Sequence, residues 1–313
     1  AANSEEAVGK VLRGIKKSDI NEVDLKGNTL LNITCAKQNV RLFDAVLARG
    51  PNVNITNNEG YSPLLTLVSM INSSSLPKDQ LIGMVRKLIE RGAKVTIKNA
   101  NFKTALHYLC RVQNLHDYFE LFQIFEEAVD LKAGDAEARE AVLTQFINEQ
   151  SIDGEYALNI VCSVSRDVKA VRYLCDHHSV INACNAKGTF PLYHAINNGD
   201  MDFILLLLNY GANLNQTYNG ESLLQIAARK QKLEQLLEHI EHKYENATLA
   251  QKTLQEQAGC FENLPQPHES WVESNLEANL LHFSIEPPPE PAEGDKPPVT
   301  YHIENFFTCE THL

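Results

Sequence analysis

The sequence predicts an all-α fold built from stacked helical repeats. One phrase, D-L-K-G-N-T-L-L-N-I-T-C in its first copy, returns in recognisable form along the chain with a period of about 33 residues. Each copy combines a turn with an apolar helix start, and the copies begin at Asp24, Asn57, Asn99, Ser151, Asn185 and Thr217. Stacked repeats bury their apolar faces against their neighbours, so this period predicts a solenoid of about six repeats.

Each predicted repeat begins with a turn and a capped helix. Most copies place Gly at the turn, where a positive φ carries no steric cost; these are Gly27, Gly60, Gly154, Gly188 and Gly220. A hydroxyl residue follows two residues later in most copies, as in Thr29, Ser62, Thr104 and Ser222. Such a side chain accepts a hydrogen bond from a backbone N–H of the first helical turn. A second helix with an apolar pair completes the repeat.

The repeats resemble the ankyrin family. The family's T-P-L-H phrase matches Ser62-Pro63-Leu64, Thr104-Ala105-Leu106-His107 and Phe190-Pro191-Leu192-Tyr193. Its closing phrase, G-A-x-x-N, matches residues 92–96 and 211–215, with a near match at residues 50–54. The resemblance covers residues 24–244 and implies protein recognition through a long concave face. The degenerate copies and inserted helix are also similar in style to ankyrin effectors that intracellular bacteria deliver into host cells.

We expect three regions along the chain. Residues 1–23 form an N-terminal capping helix, and residues 24–244 form the array. The repeats lie near 24–56, 57–98, 99–150, 151–184, 185–216 and 217–244. Residues 245–313 form an acidic, proline-containing C-terminal extension, in which residues 280–285 and 299–303 can pair as a short β-hairpin.

Two repeats depart from the pattern. The second has extra residues at Ser69–Gln80, and the third is far longer than the period. Its surplus predicts an additional amphipathic helix over Asp135–Asn148, with Ala138, Val142 and Phe146 recurring every four residues.

Aromatic residues replace small ones at three repeat positions. Phe102 stands where the other turns have Gly, and Tyr156 and Phe190 stand where the capping Thr is usual. Two interpretations remain open at this point. The rings mark a binding surface, since tyrosine is enriched in interface hot spots, or they fill a gap beside the inserted helix.

The composition is that of a soluble globular protein in a reducing compartment. Of the 313 residues, 43% are hydrophobic and 22% are charged. The sequence has no run of 18 apolar residues and no signal-peptide pattern, so we expect no membrane span and no export signal. The seven cysteines show no paired spacing, which favours free thiols and a cytoplasmic location, inside the host cell for a secreted effector.

We expect no catalytic, cofactor or metal site in the array. Cys35, Cys110 and Cys162 share one repeat position, which is normally a small apolar core residue. The resemblance implies that His107 bonds the backbone of its neighbour. Cys175, His177, His178 and Cys184 match no standard zinc spacing. A Cys/His pair in the C-terminal extension, from Cys260, Cys309 and four histidines, is the remaining enzyme alternative.

The predicted function is binding of a partner protein. In the ankyrin family the contact positions lie at the turn tips and at the ends of the first helices, and we call this the contact surface. Its predicted residues, with the three aromatic replacements, are Lys26, Lys37, Gln38, Asn58, Glu59, Tyr61, Ser69, Met70, Asn101, Phe102, Lys103, Arg111, Glu155, Tyr156, Lys187, Phe190, Asn197, Asn198, Asn219, Arg229 and Lys230. The alternative is the targeting array of an enzyme whose catalytic part is the C-terminal extension or lies outside this chain.

The contact surface and the rest of the chain differ in the sign of their net charge. The formal net charge is −12. Residues 246–313 carry eleven acidic residues against two lysines, a net of −9. Counted over three tip and two helix-end positions in each of the six repeats, which adds Asp153 and Glu221 to the acidic Glu59 and Glu155, the surface has seven basic residues against four acidic ones, a net of +3. Because salt screens exposed charges beyond about 8 Å, we expect a partner that is neutral or acidic where it binds, and no nucleic acid.

The family resemblance also suggests a modification. Asn54 and Asn215 occupy the position that an asparagine hydroxylase modifies in ankyrin proteins. Val46 and Leu207 lie eight residues before them.

Overall fold

The computed structural model describes residues 19–130 and 136–230, and the helices in these ranges follow one another in pairs. A first helix and a second helix alternate, and one additional helix, α7, follows α6. The elements are α1 (Leu30–Ala36), α2 (Val40–Leu47), α3 (Pro63–Ser69), α4 (Lys78–Glu90), α5 (Ala105–Leu109), α6 (Glu120–Asp130), α7 (Ala136–Ile147), α8 (Ala157–Ile160), α9 (Val168–Asp176), α10 (Pro191–Asn198), α11 (Met201–Asn209), β1 (Thr217–Tyr218), β2 (Glu221–Ser222) and α12 (Leu223–Arg229).

The first helices begin where the hydroxyl residues predict. Thr29 Oγ1 accepts from Asn32 N, and Ser62 Oγ accepts from Leu65 N, both at 3.2 Å. Ser222 Oγ accepts from Gln225 N at the start of α12, also at 3.2 Å. Each of these caps satisfies an N–H that the first helical turn leaves without an intrahelical partner.

Each first helix contacts the first helix of the next pair. The series runs from α1 through α3, α5, α8 and α10 to α12. Contacts between second helices join α2 to α4, α4 to α6, and α9 to α11. Apolar residues from all of these helices form one buried cluster extending from Ile20 to Ala227. Consecutive helix pairs therefore share a continuous core, as stacked repeats require.

The inserted segment of the third repeat is helical, but its buried face differs from the predicted one. Helix α7 packs against α6 through Leu143, Phe146 and Ile147, which are 1–4% exposed. Of the three residues expected on this face, Phe146 is buried, Val142 is 39% exposed, and Ala138 is half-buried. The i, i+3, i+4 row from Leu143 makes the contact, because it carries the larger side chains.

The first helix of the fourth repeat ends irregularly. Helix α8 continues as a π-helix over Val161–Ser165, and Arg166 follows with φ +51°. The corresponding position after α10 is Gly199, also with a positive φ of 70°. The π-helix adds a residue per turn, and the sequence pattern gives no sign of it.

Several predictions concern residues outside the described ranges. These are the N-terminal capping helix within residues 1–23, the second helix of the sixth repeat, and the hairpin of residues 280–285 and 299–303. The count of six repeats and the solenoid shape stay predictions. The structure shows a different small antiparallel sheet, in which β1 pairs with β2 at the sixth turn.

Candidate functional site

The contact surface is built on a row of closed turns that we call tips. They span residues 24–28, 57–61, 99–103, 151–155 and 185–189. In four tips, the first residue is Asp or Asn, and its side-chain oxygen accepts two backbone N–H groups at 2.8–3.0 Å. In the fourth tip Ser151 Oγ accepts one, from Glu155 N at 3.1 Å. These bonds fix the tip backbone locally, as Asx-turns do.

Backbone hydrogen bonds join each tip to the next. Asn58 N donates to Lys26 O at 3.0 Å, and Ala100 N donates to Glu59 O at 2.9 Å. Ile152 N donates to Asn101 O, and Ala186 N donates to Asp153 O, both at 2.9 Å. The five tips therefore form one ladder, which presents their outer side chains in a fixed order.

Close approach between tips explains part of the glycine pattern. A Cβ on Gly60 would lie 2.8 Å from Asn99 Cα, and its φ is +82°. The close contact leaves no room for a Cβ at Gly60, and the backbone conformation disfavours other side chains there. Phe102 occupies the equivalent position of the third tip with φ +56° and is 52% exposed.

Most predicted contact residues are exposed or half-buried. Ten are exposed: Lys26, Lys37, Asn58, Glu59, Asn101, Phe102, Lys187, Asn219, Arg229 and Lys230. Ten are half-buried: Gln38, Tyr61, Ser69, Met70, Lys103, Arg111, Glu155, Tyr156, Asn197 and Asn198. Phe190 is an exception, because it is fully buried in the core. Its burial argues against a surface role for Phe190, and no described contact places its ring beside the inserted helix.

Several side chains of the contact surface are engaged with each other. Arg111 Nη2 donates to Glu155 Oε2 at 2.8 Å, and Lys103 Nζ lies 3.5 Å from Asp153 Oδ2 and 3.6 Å from Glu155 Oε2. Arg229 Nη1 donates to Glu221 at 3.0 Å. These pairs neutralise three of the seven basic residues. The basic residues outside these pairs are the exposed Lys26, Lys37, Lys187 and Lys230, of which Lys26 interacts with the Asp24 carboxylate of its own tip.

His107 has a structural role in the contacts between repeats. Its Nδ1 lies 2.9 Å from Thr104 Oγ1, and its Nε2 lies 3.2 Å from Glu155 O in the next tip. Burial lowers the pKa of His107 to about 4, so the ring is neutral at physiological pH. Burial also lowers the pKa of His194, whose Nε2 lies 3.1 Å from Thr189 Oγ1.

Asparagine takes the place of His107 in two other repeats. Asn32 Nδ2 donates to Tyr61 O at 2.9 Å, and Asn159 Nδ2 donates to Thr189 O at 3.2 Å. Both residues stand at the fourth position of the helix-start phrase, as His107 does. Neither asparagine is among the predicted residues, although the shared position is a signal that identifies both.

Two tyrosine pairs beside the tips were also missed. Tyr61 and Tyr108 share a hydrogen bond of 2.5 Å between their hydroxyls, and Asn99 Nδ2 donates to Tyr108 Oη at 2.9 Å. Burial, followed by the Tyr61 hydroxyl, raises the pKa of Tyr108 well above its usual value. Tyr193 and Tyr218 stack with ring centroids 4.1 Å apart. Both pairs link neighbouring repeats, and all four rings are partly buried.

The closing segments of the repeats are joined by asparagines. Asn54 Nδ2 donates to Gly92 O at 2.9 Å, and Lys94 N donates to Asn54 Oδ1 at 2.8 Å. Asn148 and Asn182 make the equivalent pairs of bonds to the following segment. Asn54 is half-buried and Asn215 is exposed. Their hydroxylation stays a prediction.

The cysteines of the array lie mainly in the core. Cys35, Cys110 and Cys162 are buried, and burial raises the pKa of each thiol. Burial raises the pKa of Cys175 to about 12, while Cys184 is exposed. Within the described ranges, no group of three or more His, Cys, Asp or Glu side chains is arranged to hold a metal ion. In the same ranges, no helix has the length and apolarity needed to span a bilayer.

Comparison with known proteins identifies the repeats. A family model described as ankyrin repeats, in three copies, matches residues 131–218 and 158–248. The chain is 28% identical over 212 residues to the B-cell lymphoma 3 protein homolog of Mus musculus, covering 66% of this chain and 42% of that protein. It is 26% identical over 213 residues to the human transient receptor potential cation channel subfamily A member 1, covering 67% of this chain and 17% of the channel.

The chain contains ankyrin repeats and is homologous to ankyrin-repeat proteins. It spans less than half of the length of either relative. Ankyrin repeats are generally not enzymes, and they imply a module for protein–protein interaction.

Proposed function

We propose that the chain binds a partner protein through its contact surface, the tips and the ends of the first helices. The tip ladder carries this proposal. Four successive backbone hydrogen bonds of 2.9–3.0 Å align the tips, and internal side-chain bonds close each of them. A surface that is ordered before binding loses little conformational entropy on association, which favours affinity.

We further propose that the partner is neutral or acidic where it binds. Lys103, Arg111 and Arg229 are already paired with acidic neighbours on the surface. The basic residues outside these pairs lie nearer the two ends of the described array, and they include Lys26, which shares its tip with Asp24, and Lys187. Charges of this kind mainly affect the rate of association and its salt dependence.

Charge reversal at the tips tests the proposal. The full chain is used to capture partners from lysate, and a captured protein is purified for binding kinetics. The double variant Lys26→Glu, Lys187→Glu should associate several-fold more slowly than the unmodified chain, with a weaker salt dependence. Its matched control is Lys78→Glu, Lys169→Glu, which makes the same change in net charge at exposed positions of second helices α4 and α9.

The two outcomes distinguish local from global charge. If the control slows association as much as the tip variant does, the partner does not bind at the contact surface, and the association rate depends only on the net charge of the chain. If neither variant changes the rate or the affinity, the partner binds elsewhere on the chain.

Two narrower functions stay predictions. A bacterial effector and the targeting array of an enzyme both fit an interaction module. The two relatives reported above are mammalian, and no described contact favours either function. The cysteines and histidines that the enzyme alternative requires, such as Cys260 and Cys309, lie outside the described residues.

A further inference from the structure

The third tip contains a bulky residue in a backbone conformation that disfavours it. Phe102 has φ +56°, whereas the equivalent residues of the other tips and of the sixth turn are glycines with φ between +70° and +82°. A side chain with a Cβ is disfavoured in this left-handed region, and a large one there is an outlier. Such residues persist where the surrounding structure holds them in place, and they cluster at functional sites.

Burial in the core compensates little of this strain at Phe102. Its side chain is 52% exposed. Phe190, another aromatic replacement, is in contrast fully buried in the core. Burial in the core therefore accounts for Phe190 but does not account for Phe102.

The neighbouring tip adds a second exposed apolar residue. Ile152 is 60% exposed, and its backbone N–H donates to Asn101 O at 2.9 Å. This bond holds the backbones of the third and fourth tips side by side, and each tip is closed by its own side chain, Asn99 or Ser151. Phe102 and Ile152 are thus two outward apolar residues on one rigid part of the ladder. We call them the apolar tip pair.

The charges beside the apolar tip pair compensate each other. Lys103, which follows Phe102, has a side chain only 13% exposed that lies near both Asp153 and Glu155. Glu155 also accepts a hydrogen bond from Arg111. A partner surface around the pair therefore gains nothing from strong charge of either sign.

We propose that the apolar tip pair anchors the partner by entering an apolar pocket with an uncharged rim on a folded protein. This inference rests on the proposed function and assigns the residues that anchor binding. Two exposed apolar side chains on adjoining tips bury the most area in a concave receptor, and aromatic residues that fill a pocket commonly dominate interface energetics.

Bilayer insertion is disfavoured. The five tips contain three lysines, Lys26, Lys103 and Lys187, against four acidic residues, Asp24, Glu59, Asp153 and Glu155. The whole chain has a net charge of −12. Peripheral membrane binding combines apolar insertion with attraction of basic residues to anionic lipid, and this tip row lacks the basic excess.

The first experiment uses β-cyclodextrin, a soluble apolar cup with an uncharged hydroxyl rim, as the probe. It is titrated into the full isotopically labelled chain and followed by residue-resolved NMR. We expect the largest shift changes at Phe102 and Ile152, their loss in Phe102→Gly, and their reduction in Ile152→Ser. The matched control Leu25→Ser removes an exposed apolar side chain from the first tip and should leave those changes unaltered.

Two results would overturn the anchor. The first is a shift change at Phe102 and Ile152 no larger than that at Leu25, or one that persists in Phe102→Gly. The second comes from urea unfolding: a Phe102→Gly midpoint clearly below that of the unmodified chain would show that Phe102 serves the fold. We expect a midpoint that is equal or higher. Neither measurement needs a natural partner, so both can fail while the charge-reversal test of the proposed function succeeds.

Discussion

At the scale of single residues, two aromatic side chains that occupy the same cap position in different repeats differ in how deeply they are buried. Tyr156 and Phe190 both replace the capping Thr. Tyr156 is half-buried and Phe190 is fully buried. In the first repeat, Asn32 Oδ1 contacts Thr29 Oγ1 at 2.5 Å. The equivalent Asn159 Oδ1 is buried and has no hydrogen-bond partner among the described residues, because Tyr156 has no hydroxyl at that position.

Replacing these two aromatics by Thr should therefore have opposite effects. Tyr156→Thr restores a cap and a partner for Asn159, and should raise the free energy of unfolding by about 1 kcal/mol. Phe190→Thr removes a buried ring and should lower it by about 3 kcal/mol or more. Urea denaturation of both variants checks this. A loss of stability in Tyr156→Thr would mean that the Tyr156 ring is needed where it lies.

Because burial lowers the pKa of His107, the stability of the fold should decrease as the pH falls. Its folded pKa, about 4, lies below the value of about 6.5 in an unfolded chain. Only the unfolded chain takes up this proton between those two values. Stability is therefore intact above pH 6.5 and falls as the pH drops toward 4, by roughly 3 kcal/mol for this group.

His107→Asn should remove that dependence and keep the fold. Asn32 and Asn159 already make the equivalent bond to the next tip. The variant should match the unmodified chain within about 1 kcal/mol at pH 7.5 and be more stable than it at pH 5. Urea midpoints between pH 7.5 and 5 measure this. Identical pH profiles for the two proteins would contradict the assignment of His107 as a buried neutral residue.

At the scale of elements, the inserted helix α7 is held by a face that the sequence pattern did not identify. Leu143→Ala should cost about 2–5 kcal/mol of stability, because it leaves a cavity between α7 and α6. Val142→Ala, one position away and 39% exposed, should cost less than about 1 kcal/mol. An equal loss of stability in the two variants would mean that Val142 also packs in the core, as the sequence pattern predicted.

The elements also show what could be predicted from sequence and why the rest could not. Turn glycines and capping hydroxyls are local signals, and they located the tips and the starts of the first helices. The face of α7 depends on what packs against it. Its apolar residues form two rows at helical spacing, Ala138-Val142-Phe146 and Leu143-Ile147, and both are compatible with an amphipathic helix. The π-helix at Val161–Ser165 has no local sequence signal.

The contact surface was predicted less completely than the fold. Family positions identified exposed residues such as Lys26 and Lys187. They did not indicate that Arg111 and Glu155 pair with each other, since that contact joins residues 44 apart in sequence. The tyrosine pairs were missed for the same reason: each joins rings from different repeats.

At the scale of the whole molecule, the net charge of the chain and the local charge of the predicted contact surface suggest different kinds of partner. A net charge of −12 would suggest a basic partner. The predicted contact surface is net positive by residue count, and Lys26, Lys37, Lys187 and Lys230 lie at exposed positions. At physiological salt, screening limits the range of interactions between exposed charges to about 8 Å. We therefore expect the charge of the contact surface to govern association.

Hydrogen exchange of the full chain, with and without a captured partner, tests the central claim most directly. Binding through the contact surface predicts slower amide exchange in the tips, residues 24–28, 57–61, 99–103, 151–155 and 185–189. Exchange in the second helices α2, α4, α9 and α11 should stay unchanged. Protection confined to those second helices, or to residues outside the array, would contradict the account.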